Sequence, residues 1–252
     1  MRIAFVGKGG SGKSTIAGSV ARLLGRAGES VLALDVDTLP GLSISLGLPS
    51  APDSTLPDDL AERRENEGWV MKDPATRASH LVDLYAQQAA DNVRLLQVGK
   101  LPAPIPQARN TAFRHILQTF DDPGWSVVVD LAAGVRQASY GWAFSSTLLA
   151  IVMEPTQASA MTARRLRKLI ETRSDLRVGV ILNKQRGERV IHTPDISVGV
   201  PIWAKLPYSE EVAQAEREGY ALLDLAPEGV VIAALEKMIA TLQNQDLVGK
   251  TA

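Results

Sequence analysis

Residues Gly7 to Ser14 read G-K-G-G-S-G-K-S and satisfy the pattern G-x-x-x-x-G-K-[ST]. The chemistry open to such a run is narrow. A triphosphate carries dense negative charge, and glycines let the backbone curl until successive N–H groups point inward at it. Lys13 would then bridge the β- and γ-phosphates, and Ser14 would ligate Mg2+. The dipole of a following helix would add favourable potential. Gly9, Gly10, Ser11, Gly12 and Thr15 complete the cradle. The plain alternative is a glycine-rich turn with an exposed lysine. The setting argues against it, because an apolar run precedes the loop and an amphipathic helical pattern follows.

Acidic and carboxamide side chains stand at the ends of other apolar runs. Leu34-Asp35-Val36-Asp37 closes one of them, and Val127-Val128-Val129-Asp130 closes another, with Gly134 four residues on. Leu182-Asn183-Lys184 ends a third and Leu206-Pro207-Tyr208-Ser209 follows a fourth. A carboxamide presents a donor and an acceptor together, which suits the edge of a base. Each group also has a simpler reading. The aspartates can cap strand-end turns, and Gly134, Asn183 and Pro207 can be ordinary turn residues.

The elements that must hold these groups are legible as alternating patterns. Strands are predicted at Arg2 to Val6, Val31 to Val36, Val93 to Val98, Ser126 to Val129, Thr147 to Met153, Arg177 to Leu182 and Val200 to Leu206. Helices are predicted at Lys13 to Arg26, Thr111 to Phe120, Ser159 to Thr172, Ser209 to Glu218 and Gly229 to Leu242. Mostly apolar strands separated by helices imply a parallel sheet covered on both faces. The expectation is one α/β domain over residues 1–252, a single doubly wound, mostly parallel sheet. Residues 50–91 are polar and read as an insertion, helical at best. Asn244 to Ala252 read as frayed.

Composition excludes several function classes. Lys plus Arg is 27 and Asp plus Glu is 28, a net charge of −1, so the chain is no polybasic DNA-coating protein. There is no cysteine, hence no disulfide framework, no catalytic thiol and no thiolate-held zinc or iron–sulfur cluster. No apolar run reaches the roughly 18 residues of a membrane span. The opening Met-Arg-Ile-Ala-Phe-Val-Gly meets glycine after one short apolar stretch, unlike a secretory signal. The expectation is a cytoplasmic protein. His80, His115 and His192 show no i, i+4 ligand spacing.

The stretch K-G-G-S-G-K-S-T carries a second lysine, Lys8, at its start. It resembles the deviant Walker A motif of the P-loop ATPase family that contains MinD, ParA, the nitrogenase iron protein, the arsenite and tail-anchor targeting ATPases and the CooC-type nickel-insertion ATPases. The resemblance implies ATP and Mg2+ as ligands, slow hydrolysis, and a homodimer in the ATP-bound state. It implies that Lys8 reaches across that dimer to the partner's phosphates, as an arginine finger does; a solvated lysine is the alternative. It assigns Asp37 to orienting the attacking water and Asp35 to a supporting charge near the magnesium. Asp130 would hold a magnesium-bound water, the Gly134 N–H would sense the γ-phosphate, and Asn183 and the Pro207 loop would flank adenine. Thr38 and Gly41 depart from the family's frequent proline and asparagine.

The nearest flavour is CooC-like, on V-V-V-D-L-A-A-G-V, on Met153-Glu154-Pro155-Thr156 leading to Thr162-Ala163-Arg164-Arg165, and on L-P-Y-S-E-E-V-A-Q-A-E-R-E-G. CooC-like proteins hold nickel on a Cys-x-Cys pair at the dimer interface. Here the stretch after Val98-Gly99-Lys100 runs L-P-A-P-I-P-Q-A-R-N. The implied function is a nucleotide-gated accessory ATPase acting on an unidentified client protein, without the thiolate site. A positioning ATPase acting on DNA or a protein assembly is the alternative, on the basic cluster Arg164, Arg165, Arg167, Lys168 and Arg173. DNA is not favoured, since a solvated basic face explains the cluster. No membrane contact is expected, because the C-terminal helix is neither basic nor aromatic. Relatives that transfer phosphoryl groups to small molecules generally lack the early lysine, so Lys8 argues against that class.

Overall fold

Side-chain alternation sets the layers. In strand β2 (Ser30–Asp35) Val31 and Ala33 join the core on one face of the sheet, while Leu32 and Leu34 join the core on the other. All four are fully buried. A strand buried on both sides needs helices on both sides, which is why these runs read as continuously apolar rather than alternating.

The computed structural model describes residues 1–37, 41–48, 56–99, 107–134, 145–171, 176–187 and 199–249. After β1 (Arg2–Gly7) and α1 (Lys13–Arg26) come β2 and a short α2 (Leu42–Ser45). A hairpin of β3 (Ala61–Arg64) and β4 (Gly68–Met71) leads to α3 (Ala78–Tyr85), β5 (Gln87–Gln88) and β6 (Val93–Gln97). Then follow α4 (Gln107–Thr119), β7 (Trp125–Asp130), β8 (Leu148–Met153), α5 (Gln157–Ile170) and β9 (Arg177–Gln185). The chain closes with β10 (Ile202–Pro207), α6 (Glu210–Glu218), α7 (Leu222–Leu225) and α8 (Val230–Gly249).

Eight strands form one sheet in the order β10-β9-β8-β1-β7-β2-β6-β5, all parallel except the β5–β6 pair. The chain therefore winds from β1 toward β2 and β6 on one side and from β8 toward β9 and β10 on the other. The doubly wound α/β fold expected from the sequence is the observed one. Helices α1, α7 and α8 pack on one face around Ile16, Val20, Leu24 and Leu235, and α3, α4 and α5 on the other around Phe113, Ile116 and Leu166. Such sheets bind ligands where the winding reverses, at the carboxyl ends of the strands. Here that place is the end of β1, where α1 begins.

Helix α1 is fixed at its far end by a buried cation. Arg22 is 2% exposed and donates to Asp91 Oδ2 at 2.6 Å and, bidentately, to Asp224 at 2.7 and 2.8 Å. Planar guanidinium–carboxylate pairing of this kind is geometrically strict. It ties α1 to the turn before β6 and to α7.

Three expectations need amendment. Within residues 50–91, α3 agrees with a helical reading, but β3, β4 and the edge strand β5 were not foreseen. Their residues are polar and exposed toward the hairpin tip, where Trp69 is 41% exposed, so period-two apolar alternation is missing. The tail does not fray at Asn244, because α8 continues to Gly249. The strand read as Val200 to Leu206 spans Ile202–Pro207, beyond the turn at Gly199. Thr38, the segment 101–106, Arg173 and His192 lie outside the described residues.

Candidate functional site

The loop after β1 is shaped by what surrounds its glycines. A Cβ on Gly7 would stand 2.2 Å from the Val152 carbonyl oxygen, so the turn can pass β8 only without a side chain. Gly12 has φ 90°, and a Cβ there would stand 2.4 Å from Asn183 Nδ2. Gly12 is also the N-cap of α1, and no side chain caps that helix. The first N–H groups of α1 are thus left for an external acceptor, and the helix dipole favours an anion there.

Lys13 is buried, 7% exposed, and its Nζ donates to the Lys8 carbonyl at 3.4 Å. The Lys8 side chain is exposed on the shoulder of the loop, as are Gly9 and Gly10. The Lys8 carbonyl also accepts from the Ser11 N–H at 3.2 Å. Ser11 is buried and its Oγ has no partner. Ser14 and Thr15 follow on the first turn of α1, half-buried.

Two carboxylates stand side by side beyond Lys13. Asp35 and Asp130 are paired Cα partners at the ends of β2 and β7, and both are buried. Burial pushes the Asp35 carboxyl up to about 8, the neighbouring Asp130 adds to the rise, and hydrogen bonds from the Asp37 and Leu42 backbones oppose it. Those bonds run from Asp37 N to Asp35 Oδ1 at 2.9 Å and from Leu42 N to Asp35 Oδ2 at 3.1 Å. Asp35 therefore anchors the segment carrying Asp37. Burial pushes Asp130 up to about 6, against a hydrogen bond from Ser14 and the charge of Lys13. Asp130 Oδ1 has no partner. A buried carboxylate with an unmet oxygen, bonded to a hydroxyl beside a phosphate cradle, fits Mg2+, which commonly takes one or two carboxylates plus substrate phosphates. Among the described residues no three of His, Asp and Glu gather into a protein-only metal site.

Asp37 is half-buried beside this pair. The Gly134 N–H donates to the Gly7 carbonyl at 3.0 Å, so in this conformation switch and cradle are bonded to each other. Asn183 lies against the loop, its Nδ2 donating to the Ser11 carbonyl at 2.8 Å and its Oδ1 accepting from Lys184 N at 2.9 Å. From Gly12 and Thr15 a cleft of about 250 Å3 runs past Asn183 to Val212, Ala215 and Tyr220. Its mixed wall suits a planar base. Pro207 ends β10 outside the residues lining that cleft, and Arg186 stacks 3.9 Å over the ring of the adjacent Tyr208.

The structure thus gathers Lys8, Gly9–Ser14, Asp35, Asp130, Gly134 and Asn183 at the end of β1. It adds Lys184, which sequence reasoning passed over: its Nζ donates to the Gly10 carbonyl and pairs with Glu154, each at 2.7 Å. His80 and His115 stay apart from the site, His115 Nε2 bonding the Thr76 carbonyl oxygen at 2.8 Å.

The CobQ/CobB/MinD/ParA nucleotide binding domain family matches residues 3–222. An ATP-binding protein of Methanocaldococcus jannaschii is 30% identical over 233 residues, 86% of this chain and 88% of its own. The carbon monoxide dehydrogenase accessory protein CooC of Rhodospirillum rubrum is 28% identical over 242 residues, 90% and 91% of the two chains. The structure of the septum site-determining protein MinD of Pyrococcus horikoshii, complexed with Mg-ADP, superposes with a TM-score of 0.74 at 21% identity. It covers 100% of this chain and 98% of that one. Among the described residues no helix is long and apolar enough to cross a membrane.

Proposed function

The chain belongs to the CobQ/CobB/MinD/ParA nucleotide-binding domain family, and on that premise we propose that it is an ATP-hydrolysing dimerisation switch serving a partner protein. The observation that carries this reading is the uncapped start of α1 facing an exposed Lys8, a buried Lys13 and the Ser14–Asp130 pair with its unmet oxygen. Gly9 to Thr15 would hold the phosphates of ATP through backbone N–H groups, with Lys13 on the β- and γ-phosphates. Ser14 and Asp130 would hold Mg2+, and Asp35 would keep the neighbouring segment in place. When bound, the ion neutralises charge that builds on the phosphates during transfer. Asp37 would orient the attacking water, Gly134 would exchange its bond to Gly7 for one to the γ-phosphate, and Asn183 and Pro207 would border the base.

Two protomers would close face to face on ATP, Lys8 of each completing the site of the other, and hydrolysis would reopen them. Energetically this is a population shift, in which each tenfold preference of ATP for the closed dimer is worth about 1.4 kcal/mol. The likeness to CooC supports an accessory or maturation role. The absence of cysteine means that any such role does without thiolate metal binding. A second reading, positioning of DNA or of a protein assembly, draws on α5, which exposes Arg164, Arg165 and Lys168. Salt-sensitive, ATP-dependent DNA binding would favour it.

Light scattering tests the switch. The expected masses are monomer with Mg–ADP, dimer with a non-hydrolysable ATP analogue, and monomer in Lys8→Ala with that analogue. A monomer with both nucleotides in the wild type overturns the proposal and points to small-molecule phosphoryl transfer.

A further inference from the structure

Strand β9 breaks its register with β10 beside the phosphate loop. Leu182 pairs with Lys205 and Gln185 pairs with Pro207, so β9 advances three residues while β10 advances two. The extra residue makes a bulge, and Lys184 sits in it with φ 56°. In a regular strand Asn183 and Lys184 would point to opposite faces. Bulges re-aim side chains, and they recur next to functional sites. Here both side chains reach the same loop, Asn183 to the Ser11 carbonyl at 2.8 Å and Lys184 to the Gly10 carbonyl at 2.7 Å.

We infer that this bulge is a clamp that pre-shapes the phosphate loop, with Lys184 as a positioning residue for a nucleotide's phosphates. In a cradle whose N–H groups face inward, the carbonyls face outward and need hydrogen-bond donors. Three outer contacts are present: Lys13 on the Lys8 carbonyl, Lys184 on the Gly10 carbonyl and Asn183 on the Ser11 carbonyl. The ammonium of Lys184 is held from behind by Glu154, which follows β8 and is 22% exposed at its side chain. A charge-assisted bond is about twice as strong as a neutral one, and at 2.7 Å against 3.4 Å for the Lys13 bond, that of Lys184 is the shorter of the two ammonium contacts. Glu154 in turn takes its place from the start of α5, since its backbone N–H donates to Ser159 Oγ at 3.3 Å.

The inference rests on the nucleotide reading of the loop, so the test separates the two. Hydrogen exchange of the 7–15 segment is followed in nucleotide-free protein, with the β7 segment as internal reference. Mg–ADP affinity is measured alongside by calorimetry. Lys184→Met keeps an unbranched side chain, so the backbone at φ 56° costs no more than before. It should speed exchange in the loop but not in β7, and weaken Mg–ADP about tenfold, equivalent to about 1.4 kcal/mol. Lys184→Arg should recover most of both effects, and Glu154→Gln should reproduce them at about a third of the size. The clamp is overturned when neither Lys184→Met nor Glu154→Gln gives a rise confined to the loop, whether exchange is unchanged or rises equally in β7. It is also overturned when Lys184→Arg fails to rescue. Wild-type protein that binds no Mg–ADP ends the nucleotide reading instead, and the loop exchange still decides the clamp.

Discussion

The two halves of the site differ in how their polar groups are satisfied. On the β1–β9 side, the outer carbonyls of Lys8, Gly10 and Ser11 all have donors, and the donors have further partners in Glu154 and the Lys184 backbone. On the β2–β7 side, two buried carboxylates adjoin, both are pushed toward protonation by burial, and Asp130 Oδ1 has no partner. The outer shell of the first half is bonded without ligand, while its inner side, with Ser11 Oγ and the first N–H groups of α1, and the second half are not. A cradle that must hold phosphates in one geometry gains from being finished in advance. A part that must respond to a ligand gains from having an unmet need, because only a differential interaction shifts an equilibrium.

The largest expected effect tests both halves together. Lys13→Ala removes the buried ammonium between them and should lower ATP turnover about 10²–10³-fold, the range seen for loss of one transition-state donor. A phosphate-release assay on dimer-competent protein measures it. Turnover within a few-fold of wild type would mean that the loop is not the catalytic cradle.

Gly12→Ala attacks the finished half. Its Cβ would meet Asn183 Nδ2 at 2.4 Å on a backbone at φ 90°, a strain of about 2 kcal/mol. The nucleotide-free protein should melt several degrees lower, and Mg–ADP should bind more weakly. An unchanged melting temperature would show that the contact between loop and β9 is loose.

Asp130→Asn should have the smallest effect on stability, and the opposite sign. The Asp35 and Asp130 carboxyls titrate higher in the folded chain than when unfolded, so between about pH 4 and pH 8 the unfolded state binds fewer protons. Stability without nucleotide should therefore fall as pH rises through that window. Asp130→Asn should flatten the fall and raise stability at pH 7 by about 1–2 kcal/mol, while turnover is lost. Thermal melts from pH 4.5 to 8 check it, and a mutant no more stable than wild type would remove the contrast between the halves.

The finished half was the more legible in residue type and the less legible in bonding. Helix α1 was read at Lys13 to Arg26, which are its observed bounds, because Ile16, Val20 and Leu24 recur at helical spacing. The strands ending in Asp35 and Asp130 were read to within a residue or two because both faces are buried and the runs are apolar throughout. The hairpin of β3 and β4 was missed because its outward residues Arg63, Glu65 and Trp69 mask the pattern of the inward ones. Asn183 was read as a base contact, while its bond to the Ser11 carbonyl belongs to tertiary structure and leaves no local trace. Lys184 gave no signal, since neither a bulge nor a positive φ at lysine is encoded by spacing.

The partner of Ser11 lies 172 residues further along the chain. A growing polypeptide released to residue 170 already carries every residue of the phosphate motif, both acidic strand ends and the five parallel strands β1, β2, β6, β7 and β8. It lacks Asn183 and Lys184, the two outer contacts that come from β9. The β9 side of the loop's outer bonding is thus a late product of synthesis, complete only when β9 docks beside β8. Until then a nascent chain has the sequence of the phosphate loop without the two side chains that close its outer face from β9.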